Sequence, residues 1–395
     1  MPTYTVLRDL AAARTGEPYG GTTEGPEAPG LGTAGLRIDV ERLEKSEVRA
    51  LARDPEVRAI APIMPTRLIR PVDVEGDEPR AGGSATWGVT AVGADRSTRT
   101  GAGVTVAVLD TGIDATHPAF SGVHIVQRDF SGSGDGDKDG HGTHCAGTIL
   151  GRDVDGVRIG VAPGVPTALI GKVLGDDGSG DSDMIFRGIQ WAVDGGAHVI
   201  SMSLGFDFPG LVEQLVARGW PADLATSLAL EAYRANLRMF DALMGVVRSR
   251  QAFGPGTLLV AAAGNESKRH ENPEHEIAVS IPAAAEGVIS VGALGESADG
   301  LRVAPFSNTF PQISGPGVMV RSAKAGGGLA TLSGTSMATP HVAGVAALWW
   351  EDVAALPVPL SALPVTARLL ATATTEGIAS DVDVADRGAG LVQAP

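Results

Sequence analysis

Cysteine is nearly absent from this chain: Cys145 stands alone among 395 residues. One thiol cannot build an intrachain disulfide framework, so the fold must rest on its core, and such usage fits a reducing compartment. No apolar run approaches the roughly 18 residues that span a bilayer. Basic charge is also in short supply, with a formal net charge of −15. Residues 1–72 hold ten basic and ten acidic side chains, so the acidic excess lies wholly in residues 73–395. A body of that sign disfavours nucleic acid and anionic membranes as partners and favours solubility. The opening Met1-Pro-Thr-Tyr-Thr-Val-Leu-Arg-Asp-Leu10 has no basic start followed by an apolar stretch. No secretory signal is read there, and a cytoplasmic location is expected, or a secreted one if a signal has been removed.

Hydrophobic residues make up 43% of the chain and glycines number 54. That length and composition allow one large α/β domain plus a small one, with many tight βα turns. Residues 3–7 and 36–40 alternate like strands, 44–53 have helical spacing and 57–63 return to extended structure, so residues 1–73 read as a small α+β unit. A Gly/Pro/Glu-rich loop, 16–35, interrupts it, and the Gly/Pro-containing stretch 74–86 reads as a linker.

From Gly103 the pattern becomes βαβ. Residues 104–109 form a continuous apolar, β-branched run, the mark of a parallel strand covered on both faces. Further strands are expected at 168–173, 199–202, 257–262 and 288–291, with helices at 182–193 and 222–247 between them. This alternation predicts a mainly parallel sheet between two helical layers, with ligands bound outside the carboxyl ends of the strands.

Three segments carry chemistry: Val106-Ala-Val-Leu-Asp-Thr-Gly-Ile-Asp114, Asp139-Gly-His-Gly-Thr-His-Cys-Ala-Gly-Thr148 and Gly334-Thr-Ser-Met-Ala-Thr-Pro-His-Val-Ala-Gly344. They supply a carboxylate, an imidazole and a hydroxyl, each where a strand or loop runs into a helix. A serine hydroxyl is a poor nucleophile without an adjacent base, and a base works best when a third group orients it. Within these strings Asp114 competes with Asp110, and His144 and His341 compete with His141. Asp-Thr-Gly also occurs in aspartic proteases, which need two such carboxylates; no second Asp-Thr-Gly or Asp-Ser-Gly exists here.

Together the strings resemble those of the subtilisin-like serine proteases, in which aspartate, histidine and serine follow in this order. The resemblance runs from about Trp87 to Ala394 and implies a subtilisin-like three-layer fold for residues 87–395. It assigns Asp110, His141 and Ser336 as the catalytic triad, and Asn265, in Ala-Ala-Ala-Gly-Asn-Glu, as the side-chain donor of an oxyanion hole. His144 and His341 become structural, and Cys145, inside an apolar helix, a small buried hydrophobe. A peptide or protein substrate would add as a strand between two exposed segments. On that resemblance Gly178, Ser179, Gly180, Ser203, Leu204 and Gly205 supply the backbone for it. Leu174 and Leu204 would line an apolar pocket upstream of the cut. Gly205, Ala262 and Ala263 would wall the pocket beside the scissile bond, with Glu266 at its rim able to admit Lys or Arg.

Residues 1–73 resemble a subtilase propeptide, an intramolecular chaperone and inhibitor whose tail, near residues 67–72, occupies the cleft until cut. The alternative is a permanently attached accessory unit. The resemblance implies a self-processing endopeptidase; a peptide ligase or a silent peptide-binding scaffold are the other outcomes of the same strings. The stretch from Ser203 to Asn265 is longer than the family uses, which implies a helical insertion at about 206–250. It is read as a lid, a propeptide dock, an oligomer contact or a plain surface helix. No cofactor is required. Asp135-Gly-Asp-Lys-Asp-Gly140 opens like a calcium loop, but position 12 of an EF-hand would be Ala146, which excludes that site. The family's calcium loop corresponds to residues 152–157, whose partner position within 114–119 has lost its carboxylate; structural calcium is possible and no metal ligand is assigned.

Overall fold

A computed structural model describes residues 1–10, 35–74, 84–250, 254–358 and 360–395. Most of the loop at 16–35 and of the linker at 74–86 lies outside the described residues. The N-terminal unit is a three-stranded antiparallel sheet of β1 (Thr3–Asp9), β2 (Leu36–Arg42) and β3 (Val57–Pro62), in the order β2-β1-β3, with α1 (Lys45–Leu51) between the last two. The helix begins where Glu47 accepts the free amide of Glu44 at 2.7 Å, satisfying a donor that no turn of helix precedes. A short strand, β4 (Pro65–Leu68), then leaves this sheet for the main body.

The body continues through α2 (Trp87–Ala91), β5 (Thr105–Asp110), β6 (His124–Asp129), α3 (His141–Leu150), β7 (Thr167–Lys172), β8 (Ser179–Asp181) and α4 (Ser182–Asp194). Next come β9 (Val199–Met202), β10 (Leu204–Phe206), α5 (Phe208–Ala217), α6 (Ala222–Arg250) and β11 (Leu258–Ala262). The remaining strands are β12 (Val288–Ser297), β13 (Gly300–Val303), β14 (Ile313–Pro316), β15 (Val320–Ala323) and β16 (Leu329–Leu332). Helices α7 (Thr335–Ala354), α8 (Ala362–Ala371) and α9 (Val384–Arg387) close the chain.

The central sheet runs β13-β12-β11-β9-β5-β7-β6, with β14 also on β12, and every pairing but β12–β13 is parallel. Along β5 the side chains alternate between two cores. Val106 and Val108 pack with Ile149 of α3 and Val342 of α7, whereas Ala107 and Leu109 pack with Phe186 of α4 and Phe240 of α6. Burial on both faces is why this strand is apolar without a polar alternation. Helix α7 is buried from Thr335 to Trp350, which explains its all-round apolar sequence.

From β5 the chain winds one way to β6 and β7 and the other way to β9, β11 and β12. The sheet therefore changes direction between β5 and β9, and a crevice opens at their carboxyl ends, beside Asp110 and Met202.

The insertion is a helical hairpin of α5 and α6, and its position is specific. Helix α6 packs against β3, and Asn236 of α6 donates to the Pro62 carbonyl at 2.9 Å. Gln190 of α4 likewise donates to the Leu36 carbonyl at 2.9 Å. Leu7, Leu36 and Ala61 of the N-terminal sheet join the apolar cluster of α4 and α6. The extra sequence thus packs against the N-terminal sheet.

Candidate active site

Asp110 is the last residue of β5, fully buried at the crevice. Helix α3 is pressed against the loop after it: a Cβ on Gly142 would lie 2.2 Å from the Gly112 carbonyl, so only glycine permits that approach. The result is a hydrogen bond from His141 Nδ1 to Asp110 Oδ1 at 2.8 Å, with both side chains 1% exposed. Thr111 N also donates to that oxygen, at 2.8 Å.

Burial by itself would disfavour an imidazolium at position 141. The Asp110 carboxylate overrides that penalty and holds His141 well above its ordinary value. His144 and His341 face the opposite balance. His144 is buried beside His141, pushed down to about 3, and donates to the carbonyls of Val320 and Ala330. His341 is pushed down to about 4 by burial and donates to the Met337 carbonyl at 2.8 Å. Both serve as neutral packing groups. Asp114 turns outward to Thr116 and Gly326 N.

Ser336 lies in the first turn of α7, where the helix dipole favours negative charge. Its hydroxyl donates to the Ile69 carbonyl at 2.9 Å, and His141 Nε2 has no hydrogen-bond partner. Pro340 brings no N–H to the Ser336 carbonyl four residues back. That acceptor is satisfied instead by Cys145 Sγ at 3.4 Å and Ser203 Oγ at 3.2 Å. Cys145 is thus more than a buried hydrophobe: its thiol holds the backbone of the serine and sits 3.7 Å from His141 Nδ1.

Asn265 follows β11 and aims its amide into the crevice, donating to the Arg70 carbonyl at 3.0 Å. Its carbonyl oxygen is pinned by Thr335, through the backbone N at 2.9 Å and Oγ1 at 2.8 Å. Sequence patterns did not single out Thr335, although it directly precedes Ser336. Asp137 was also missed, because its neighbours suggested a calcium loop. One of its oxygens takes Thr111 Oγ1 and Gly140 N, and the other takes Thr143 N and Oγ1. Asp137 therefore ties the end of β5 to the start of α3. An aspartate shortly before a helix start was the available signal. Among the described residues, Asp110, His141 and Cys145 are the only set of three or more histidine, cysteine or acidic groups close enough together to hold a metal ion. The aspartate and histidine are already committed to each other.

A polypeptide strand already lies in the crevice. β4 pairs antiparallel with β10, Arg67 opposite Gly205 and Leu68 opposite Leu204. On its other edge it pairs with β8, Thr66 opposite Gly180 and Arg67 opposite Ser179. Leu68 N donates to the Gly178 carbonyl at 2.8 Å, and Val72 N to the Ser333 carbonyl at 2.8 Å. Thr66 and Leu174 crowd the space that a Cβ on Gly180 would take, at 3.1 and 3.2 Å. Leu68, Leu174 and Leu204 share one apolar cluster. Ile69 is 4% exposed and approaches Gly205 closely enough that a Cβ there would meet it at 3.6 Å. Burying two such side chains is worth about 1.5–3 kcal/mol each. Ser203 lies outside the ladder, its hydroxyl turned inward to Ser336. Ala262 and Ala263 are fully buried, and the Ala263 carbonyl accepts from Ser280 N and Asn308 Nδ2. Glu266 Oε1 lies 3.6 Å from Arg67 Nη2.

The profile of the subtilase family matches residues 101–390. A thermostable alkaline protease of Halalkalibacterium halodurans is 34% identical over 314 residues, 78% of this chain and 70% of that protein. An intracellular serine protease of Paenibacillus polymyxa is 36% identical over 63% of this chain and 67% of that protein. The subtilisin-like serine protease Pen c 1 of Penicillium citrinum is 33% identical over 79% of this chain and 69% of that protein. With the match extending over most of its length, the chain belongs to the subtilase family.

Proposed function

We propose that the chain is a serine endopeptidase that cleaves peptide bonds through an acyl-enzyme. The observation that carries this reading is the strand in the crevice: a carbonyl of an extended peptide, Ile69, rests 2.9 Å from the Ser336 hydroxyl. In the reaction His141 Nε2 takes the serine proton as Oγ bonds to the substrate carbonyl carbon, while Asp110 holds Nδ1–H and stabilises the imidazolium. The tetrahedral oxyanion is met by Asn265 Nδ2. His141 then gives its proton to the leaving amine, and water resolves the acyl-enzyme by the same steps in reverse.

The N-terminal unit serves, on this proposal, as an intramolecular inhibitor and folding template, and its tail as the first segment to be processed. Two observations support it: the antiparallel pairing of β4 on both edges, and the docking of β3 on α6. The lone buried cysteine and the intracellular serine proteases among the relatives favour an intracellular setting. No helix among the described residues is long and apolar enough to cross a membrane.

The test is to incubate the purified chain with a fluorophosphonate and map the labelled residue, alongside hydrolysis of a denatured protein substrate. Label on Ser336, with hydrolysis abolished in Ser336→Ala, is the expected result. Undiminished hydrolysis by Ser336→Ala would refute the assignment.

A further inference from the structure

We propose that Asp207 and Glu266 form a recognition pair for an arginine side chain, two residues upstream of the residue whose carbonyl meets Ser336. This deepens the endopeptidase reading and rests on it: it names the substrate class, peptides basic at that position.

The ladder sets the register. Arg67 is held between Gly205 and Ser179, and Ile69, two residues on, presents its carbonyl to Ser336. Residues two apart in a strand point to the same side. While Ile69 is buried against Gly205, the longer Arg67 extends to the rim, its side chain 44% exposed. There its Nη1 lies 3.1 Å from Asp207 Oδ1 and its Nη2 lies 3.6 Å from Glu266 Oε1.

Each carboxylate is also anchored by a group other than the guanidinium. Asp207 caps α5, accepting from Gly210 N at 3.1 Å. Glu266 accepts from Asn308 Nδ2 at 2.8 Å through Oε2, which leaves Oε1 for the guanidinium, and Asn308 is fully buried. Anchored acceptors lose less side-chain freedom on ion pairing than two mobile chains would. Two nitrogens reaching two separate carboxylates is a pattern guanidinium satisfies and a single ammonium does not.

The test uses the full chain with three internally quenched peptides that differ only at this position, Thr-Arg-Leu-Ile, Thr-Lys-Leu-Ile and Thr-Gln-Leu-Ile upstream of the cut. The ratio of kcat/KM values within one preparation is independent of what fraction of clefts is open. The arginine peptide should exceed the glutamine peptide by about fivefold, with lysine between, and the advantage should shrink in high salt. In Asp207→Asn/Glu266→Gln, where asparagine still caps α5, the ratio should fall to about one. A ratio near one in the native chain, with Ser336 labelled by fluorophosphonate, would overturn the pair and leave the endopeptidase standing. Neither hydrolysis nor label would bring down the endopeptidase reading and this proposal with it.

Discussion

The hydroxyl of Ser336 is bonded to the carbonyl of Ile69, while the Asn265 amide holds the carbonyl of Arg70, one residue further on. A bond set for acylation presents one carbonyl to both groups. Here the two are divided between neighbouring peptide units, so the tail fills the crevice without being aligned for cleavage at Ile69.

Loosening the tail should therefore expose the serine. Ile69→Asp would bury an uncompensated carboxylate in an apolar pocket, which costs several kcal/mol. Labelling of Ser336 by a fluorophosphonate should accelerate by about tenfold or more, given that every 1.4 kcal/mol is tenfold in an equilibrium. Equal labelling rates would show that residues 65–72 do not block access.

The His141–Asp110 pair sets the pH dependence. Despite the opposing effect of burial, Asp110 raises His141 in the folded chain. The stability the pair contributes is complete below the ordinary imidazole value of about 6.5, and it is lost as pH rises through the folded value. Activity runs the other way, because the base must be neutral. The rising limb of kcat/KM should lie clearly above about pH 6.5 and the melting temperature should fall over the same interval. Asp110→Asn should move the limb down and lower kcat by about 10⁴-fold. A limb at or below 6.5 in the native enzyme would contradict the raised value.

Thr335 positions the oxyanion donor. Thr335→Val keeps the backbone bond to Asn265 but removes the Oγ1 bond at 2.8 Å and the acceptor for Gly264 N. Asn265→Leu should lower kcat by about 10²–10³-fold with KM little changed. Thr335→Val should lower kcat by about tenfold and add nothing in the Asn265→Leu background, as expected of residues acting as a unit. Additive losses would mean that Thr335 acts elsewhere.

Cys145 donates to the Ser336 carbonyl, the acceptor to which Pro340 brings no N–H. Cys145→Ala should destabilise by about 1–2 kcal/mol, through a lost donor and a small cavity. Pro340→Ala returns the missing N–H to that carbonyl, so the cost of Cys145→Ala should be smaller in its presence. Denaturant melts of the four proteins of the cycle test this; strict additivity would separate the two residues.

Much of this molecule is written in short-range pattern. The apolar run ending at Asp110, the Gly-His-Gly string opening α3 and the Gly-Thr-Ser string opening α7 each encode their own strand or helix boundary, and with it the position of a catalytic group. The βαβ alternation fixes a mainly parallel sheet because strands covered on both faces must be apolar throughout.

What that pattern left open involves partners far apart in the chain. That Ser336 meets Ile69, that Asn236 holds Pro62, that Asp137 clamps Thr111 to Thr143, and that Arg67 lands between Asp207 and Glu266 are matters of which surfaces the folded body brings together. Propensity and periodicity act over a few residues, so they determine elements and the chemistry at their ends. Ion pairs and hydrogen bonds act over a few ångströms, so their partners exist only once the strands have taken their register.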